Sequence, residues 1–169
     1  MMTESRYGFT YYVSSQTLSN GTQAYKWEYG SDYNTTQQQE IYNYITSNYN
    51  IEFQVSQGHA TVKYNCHSYA WYSQAITNDY WINSPANFLS GSYISSSFSN
   101  TIPSGVSSGD KVIYYKFKLF STNYQHSARV YSKLLNTFVS KWGSYGLYVH
   151  SPTEVPSSYN ASSLRYYSN

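Results

Sequence analysis

The single cysteine of the chain lies in the segment Tyr64-Asn65-Cys66-His67-Ser68-Tyr69-Ala70-Trp71-Tyr72. No Gly or Pro occurs from Cys66 to Ile76, and Asn65 stands where a helix N-cap is favoured. The sequence therefore predicts a helix that begins at Cys66 and ends near Asn78. Unpaired N–H groups at a helix start favour an anion and lower the pKa of a thiol. Cys66 is thus a candidate nucleophile, and the alternative is a small buried core residue.

The composition favours a single domain that spans residues 1–169. The chain has 23 tyrosines, 11% charged residues and a net charge of +2, and many aromatics with few charges argue against disorder. The small charge and the lack of a Lys/Arg cluster predict no nucleic-acid partner. No run approaches the roughly 20 apolar residues of a membrane helix. One cysteine excludes a disulfide framework and a multi-cysteine zinc site, and we expect no cofactor.

The localisation stays open at this level. The N-terminal residues Met1-Met2-Thr3-Glu4-Ser5-Arg6 are not followed by the apolar segment of a signal peptide. A cytoplasmic protein, a mature fragment behind an engineered start, and a protein released by cell lysis to act outside the cell all fit this feature.

The order of the predicted elements is that of an α+β protein. Residues 7–30 predict an accessory β-hairpin around Asn20-Gly21. A helix is predicted over residues 35–49, with a capping box of Thr36 and Gln39, and a short strand or extended lead-in over 51–55. Residues 80–109 lack a regular pattern apart from a helical turn at 85–89. The last third predicts antiparallel strands over 111–119, 126–132, 136–142, 145–150 and, as a closing edge strand, 165–167.

Two motifs in the strand-rich part resemble those of a known fold. One is Ser108-Gly109-Asp110-Lys111-Val112-Ile113-Tyr114-Tyr115, and the other is Gln125-His126-Ser127-Ala128-Arg129-Val130. With a cysteine at a helix start, they resemble the papain-like NlpC-type and CHAP cell-wall amidohydrolases over roughly residues 60–143. The resemblance implies a papain-like core over 35–150, in which the helix that carries Cys66 packs on an antiparallel sheet that carries His126. Residues 151–169 would form a tail.

The resemblance also implies thiol-mediated hydrolysis of an amide bond. Cys66 would attack the carbonyl, and His126 would accept the thiol proton and return it to the leaving amine. These families usually place a polar residue on the next strand to orient the imidazole. The carboxylate or amide expected there is absent, so Ser140 is the predicted orienter of His126, with Lys141 turned outward and His150 in reserve.

The resemblance also implies an oxyanion site, and the irregular stretch over residues 80–109 is expected to line a groove. The backbone N–H of Cys66, with a nearby donor such as Tyr64, would stabilise the oxyanion. The candidates for the oxyanion site and the substrate groove are Tyr64, Asn65, Trp81 and Trp142.

The other histidines are predicted to lie outside the dyad. His67 follows Cys66 on a helix and points about 100° away, so it is predicted to be a packed or capping residue, or a supporting one. His59 lies in a glycine-containing loop and is predicted to be solvated. No zinc spacing is present, so we expect no metal, although four side chains could in principle supply ligands, namely Cys66, His67, His126 and His150.

Three functions stay open on the sequence. The first is a cysteine peptidase or amidase that acts on peptidoglycan peptides through a Cys–His dyad. The second is a toxin or effector that uses the same dyad on a protein. The third is a non-catalytic binding module in which Cys66 is a buried core thiol. A peptide or peptidoglycan substrate is the expected partner, and an inhibitor protein is neither indicated nor excluded.

Overall fold

In the described residues, two antiparallel sheets and two α-helices form the α+β architecture that the sequence predicts. The computed structural model describes residues 1–121 and 123–169, with all of their side chains except those of Ser5 and Arg6.

The smaller sheet contains the predicted N-terminal hairpin. Its strands are β1 (Met2–Arg6), β2 (Phe9–Thr17), β3 (Gln23–Gly30) and β5 (Tyr80–Ile82), in the order β1-β2-β3-β5. β2 and β3 pair antiparallel around the Asn20-Gly21 turn, where Gly21 takes a φ of +82°. The hairpin is confirmed, whereas β1 and β5 were not predicted.

The larger sheet has seven strands in the order β4-β10-β9-β8-β7-β11-β6. The ranges are β4 Phe53–Gln54, β6 Ile94–Ser97, β7 Lys111–Tyr115, β8 Tyr124–Ser132, β9 Thr137–Lys141, β10 Leu147–His150 and β11 Ser163–Tyr167. β11 lies between β7 and β6, so the predicted closing strand is an interior strand rather than an edge. Part of the expected tail therefore belongs to the sheet.

The two helices differ in length and capping from the prediction. α1 spans Thr35–Asn48, and its capping box joins Asn34 and Gln37 rather than Thr36 and Gln39. α2 spans only Cys66–Trp71, far short of Asn78. Its N-cap is Asn65, as predicted, and the side chain of Asn65 accepts a hydrogen bond from the Ser68 N–H at 3.1 Å.

Two stretches contradict the predicted boundaries of regular structure. Residues 80–109 contain β5, β6 and a 3₁₀ turn at Ala86–Phe88. The strand predicted to reach Leu119 ends at Tyr115, and the exposed residues 116–121 that follow have no core to pack against. In the described part of the chain, no helix has the length and apolarity needed to cross a membrane.

Strand alternation gives the larger sheet two distinct faces. In the pairing of β7 with β8, Tyr114 lies opposite His126 and Ile113 lies opposite Ser127. Directly opposed residues point to the same side of a sheet. Ile113 packs in one core cluster with α2, and Tyr114 packs in another with Ile45 of α1. We call these sides the α2 face, which carries Ser127, and the α1 face, which carries His126.

Candidate functional site

Asn65 fixes the start of α2 against the smaller sheet. Its side-chain amide donates to the Ile82 carbonyl at 2.7 Å and its carbonyl oxygen accepts from the Ile82 N–H at 3.3 Å. The same oxygen caps α2 through the Ser68 N–H. One buried amide thus ties the helix start to β5 and satisfies a helix N–H that would otherwise lack a partner. Asn65 is a structural cap, and its proposed place in a substrate groove is not supported by these contacts.

The Cys66 thiol is buried at the start of α2 and faces β8. Its exposed fraction is 6%. Burial raises the pKa of the thiol to about 11, although the backbone N–H groups of Ser127 and His67 and the charge of Lys141 favour the thiolate. The expected lowering of the pKa is therefore wrong for this structure. α2 has only six residues, so its dipole is too small to offset the cost of burying a charge.

Ser127 joins α2 to the larger sheet through its backbone and its side chain. The pairing of β8 with β9 runs from Arg129 and Val139 towards Ser132 and Thr137. Ser127 precedes that ladder, and its N–H points at the Cys66 sulfur. Its hydroxyl oxygen accepts from Trp71 Nε1 at 3.0 Å and lies 2.7 Å from His67 Nδ1. We call Ser127, His67 and Trp71 the α2-face cluster.

His67 and His59 lie where the sequence predicts. His67 is a packed residue of α2, and burial lowers its pKa to about 4, so the ring is neutral at neutral pH. His59 is exposed and its Nδ1 lies 3.1 Å from Gln54 Nε2.

Lys141 is fully buried on the α2 face, so the prediction that it turns outward is wrong. Its ammonium donates to the carbonyls of Thr61 at 3.0 Å and Gly143 at 2.6 Å, and lies 4.9 Å from the centre of the Tyr64 ring. Burial lowers its pKa to about 7, while Asp32 and Cys66 act in the opposite direction. Lys141 can therefore gain or lose a proton near neutral pH in the neighbourhood of the thiol.

His126 is buried on the α1 face, away from α2. Its ring stacks on Tyr159 at 4.1 Å and meets Tyr114 edge-on at 5.0 Å. Neither ring nitrogen has a hydrogen-bond partner among the described residues, so the hydrogen bond of a Cys–His dyad is not formed here. Burial, with smaller contributions from His150 and His67, holds the pKa of His126 well below its usual range. His126 as the catalytic base stays a prediction.

Ser140 lies on the face of His126 but binds His150 instead. Its hydroxyl oxygen is 2.7 Å from His150 Nε2 and accepts from Trp142 Nε1 at 3.1 Å. His150 Nδ1 lies 2.8 Å from the Ser151 carbonyl, so it donates there, and Nε2 accepts from Ser140. We call Ser140, His150 and Trp142 the α1-face cluster. No hydrogen bond in it supports the predicted orientation of His126.

The predicted groove residues do not form one surface. Tyr64 and Trp142 are buried. Trp81 is half-buried in the smaller sheet, opposite Tyr25 of β3. Among the described residues, no group of three or more His, Cys, Asp or Glu side chains is placed to hold a metal ion.

Sequence reasoning misplaced one residue of this region and missed another. Lys141 was expected to turn outward, whereas it lies in a strand whose side chains are all buried. Tyr159 gave no signal, since it lies in a 3₁₀ turn, Ser157–Tyr159, beyond the expected core. Burial is the main cause that raises the pKa of Tyr159, and the Cys66 thiol is the next. Its ring thus lies close to both members of the predicted dyad.

Comparison with known proteins identifies no relative of this chain. No protein-family model, curated protein or solved structure matches this chain.

Proposed function

We propose that the chain is a cysteine hydrolase of papain-like type that cleaves amide bonds in peptides, with peptidoglycan peptides as the first substrate class to test. One observation carries the proposal. The Cys66 thiol, at a helix start, lies against the N–H of Ser127, which is the residue after His126. This contact between the start of α2 and β8 supports the proposal.

The reaction would begin with transfer of the thiol proton. His126 is neutral and both of its nitrogens lack a partner among the described residues, so it has a lone pair with which to accept that proton. The thiolate would then attack the amide carbonyl, the amine would leave with the proton, and water would hydrolyse the thioester. The Ser127 N–H is in place to favour the negatively charged sulfur before attack.

The proposal requires the site to open. Tyr159 covers the His126 ring, and the ring points to the α1 face. Ser127 lies outside the β8–β9 ladder, whose first pair is Arg129 with Val139. The proposal therefore requires Tyr159 to be displaced and the His126 side chain to move towards the sulfur.

A second function, a non-catalytic binding module, is favoured by a different observation. The thiol is buried and its pKa is raised to about 11, which describes an inert core cysteine rather than a poised nucleophile. In that case Cys66 is a core residue that packs beneath α2, and the protein has no hydrolase activity.

An assay with muropeptides, the disaccharide-peptide fragments of peptidoglycan, separates these functions. New amino groups and fragment masses are followed for the wild type and for Cys66→Ala. We expect hydrolysis by the wild type and a loss of at least about 10³-fold in Cys66→Ala, the scale seen when a nucleophile is removed. Cleavage of casein but not of muropeptides would favour the toxin or effector. No hydrolysis of either, with unchanged folding in Cys66→Ala, would contradict the hydrolase.

The base is tested with two further variants. His126→Gln should abolish activity if His126 accepts the thiol proton, whereas Lys141→Met should retain the reaction. The reverse result would assign proton transfer to Lys141, whose pKa of about 7 also suits a base at neutral pH.

A further inference from the structure

A pocket lined mainly by aromatic rings adjoins Tyr159. It has a volume of about 250 Å³, and six of its ten lining residues are aromatic. We call it the tyrosine pocket, after Tyr7, Tyr44, Tyr49, Trp142, Tyr145 and Tyr159. Its walls come from the first β-turn, α1, the β9–β10 turn and the 3₁₀ turn at Ser157–Tyr159. Segments distant in sequence therefore converge on one small concavity.

The base of the pocket is shaped by Gly143. This residue takes a φ of +56°, and a Cβ added to it would lie 3.1 Å from the Tyr159 hydroxyl and 3.4 Å from the Tyr7 hydroxyl. Because Gly143 has no side chain, two phenol hydroxyls approach the same point of the backbone. They give the pocket a polar base between apolar walls.

Tyr7 reaches the pocket from the two-residue turn that joins β1 and β2, between the paired residues Arg6 and Phe9. The φ values of Tyr7 and Gly8 are +53° and +83°. Two successive positive φ values are those of a type I′ hairpin turn. The turn thus accounts for the backbone of Tyr7, and the side chain of Tyr7 lines the pocket.

The lining carries no ionised group at neutral pH. None of the ten lining residues is Asp, Glu, Lys, Arg or His. Burial is the main cause that raises the pKa of Tyr145 and of Tyr159, so their hydroxyls keep their protons. The pocket thus offers ring faces and neutral hydroxyls, with no charge to attract an ionic ligand.

We propose that the tyrosine pocket binds a neutral saccharide ring. One side of a sugar ring presents C–H bonds, which pack on aromatic faces, and its edge presents hydroxyls, which hydrogen-bond with the Tyr7 and Tyr159 hydroxyls. The volume lies below the roughly 300–1,000 Å³ of pockets for drug-sized ligands, which suits one ring. A proline ring would pack on the walls and leave the hydroxyls of the base unpaired.

The proposal does not rest on catalysis by Cys66, because binding is measured without turnover. It is nevertheless compatible with the proposed function, since the Tyr159 ring forms one wall of the pocket and its other contact is the His126 ring.

The test is calorimetric titration with chitotriose, a neutral trimer of N-acetylglucosamine, against the wild type and two variants. Tyr44→Ala removes a pocket ring whose exposed fraction is 50% and which contacts Tyr145 edge-on. Tyr29→Ala is the matched control, because Tyr29 is 51% exposed and stacks on Tyr12, and neither ring lines the pocket. Each of the two rings lies on the surface and takes part in a single aromatic pair, so both variants should fold. Circular dichroism checks that they do.

We expect saturable binding by the wild type, a Kd at least fivefold weaker in Tyr44→Ala, and no change in Tyr29→Ala. No saturable heat at about 10 mM chitotriose, or equal weakening in both variants, would overturn the proposal. Binding of tetraproline in place of the sugar, lost in Tyr44→Ala, would also overturn it and would assign the pocket to peptides. A negative binding result would overturn the saccharide proposal alone. Hydrolysis of muropeptides is tested separately by the assay with Cys66→Ala.

Discussion

The α2-face cluster and the α1-face cluster make the same contacts on opposite sides of one sheet. In each, a serine hydroxyl accepts from a tryptophan indole N–H, at 3.0 Å from Trp71 and 3.1 Å from Trp142. In each, the same hydroxyl lies 2.7 Å from a histidine nitrogen. The clusters differ in what surrounds them. The Ser127 backbone N–H points at Cys66, whereas the Ser140 cluster lies near His126 without a hydrogen bond to it.

This difference shows that a serine–histidine pair near a candidate base can be held by contacts that do not involve that base. The α1-face cluster satisfies its own polar atoms inside the core, where unpaired groups are costly. The α2-face cluster does the same and also holds the start of α2 against β8. Two members of the α2-face cluster, Ser127 and His67, direct their backbone N–H groups at the thiol.

The largest effect is expected from acid, which acts on both clusters. Burial lowers the pKa of His67 and of His150 to about 4, from an ordinary value of 6.5, and lowers that of His126 in the same direction. Between pH 4 and pH 6.5 the unfolded chain binds more protons than the folded protein does. The free energy of unfolding therefore falls as the pH falls from 6.5 towards 4. His67 and His150 together account for about 6 kcal/mol, which is comparable to the stability of a whole domain.

We therefore expect cooperative unfolding by acid above pH 4, followed by circular dichroism. His150→Gln should move the midpoint to lower pH, and His59→Gln, at an exposed position, should leave it unchanged. A free energy of unfolding that does not fall between pH 6.5 and pH 4 would contradict the buried, neutral state of these histidines.

The next effect comes from Lys141. Its folded pKa of about 7 lies below the ordinary 10.5, so the unfolded chain binds more protons between these values and stability rises with pH. The Cys66 thiol, with its pKa raised from 9.0 to about 11, begins to oppose this rise near pH 9. The net gain from pH 7 to pH 9 is about 2 kcal/mol.

Urea denaturation at the two pH values measures this gain. In Lys141→Met the rise should disappear. An equal rise in the variant would show that another group titrates and that the Lys141 ammonium is not depressed by burial.

The smallest effect separates the two clusters directly. Ser127→Ala and Ser140→Ala should each lower the free energy of unfolding by about 1–3 kcal/mol, because each leaves an indole N–H and a histidine nitrogen unpaired. Only Ser127→Ala should also speed alkylation of Cys66, since it loosens α2 from β8. If Ser140 orients His126, kcat for hydrolysis should fall roughly tenfold in Ser140→Ala, about 1.4 kcal/mol. Full activity in this variant would remove Ser140 from the site.

Local signals in the sequence predicted much of the fold. The Asn20-Gly21 hairpin, the Asn65 cap and strands β8 to β10 follow from turn, cap and alternation patterns that act over a few residues. The length of α2 was overestimated. The lack of Gly or Pro permits a helix beyond Trp71, but it does not determine where the helix ends. β5, β6 and the interior place of β11 depend on pairing between distant segments, which local patterns do not specify.

The candidate site was predictable only in part. The sequence identified Cys66 and its helix start, but not the burial that raises the pKa of the thiol. Alternation placed Ser140 and Lys141 on opposite faces, yet the face that each one takes depends on register. The inward position of Lys141 follows from the cover on both sides of β9, which the sequence does not reveal.

The proposed hydrolase is tested most directly by the reactivity of Cys66 when the ring that covers His126 is removed. Intact-mass spectrometry after brief iodoacetamide treatment at pH 7.5 is compared for the wild type, Tyr159→Ala and the control Tyr145→Ala. Tyr145 lines the same pocket, whereas Tyr159 stacks on His126. A hydrolase with a closed site predicts slow alkylation in the wild type and in Tyr145→Ala, and alkylation at least tenfold faster in Tyr159→Ala, dependent on His126. Equally slow alkylation in all three folded proteins would contradict the hydrolase and identify Cys66 as an inert core thiol.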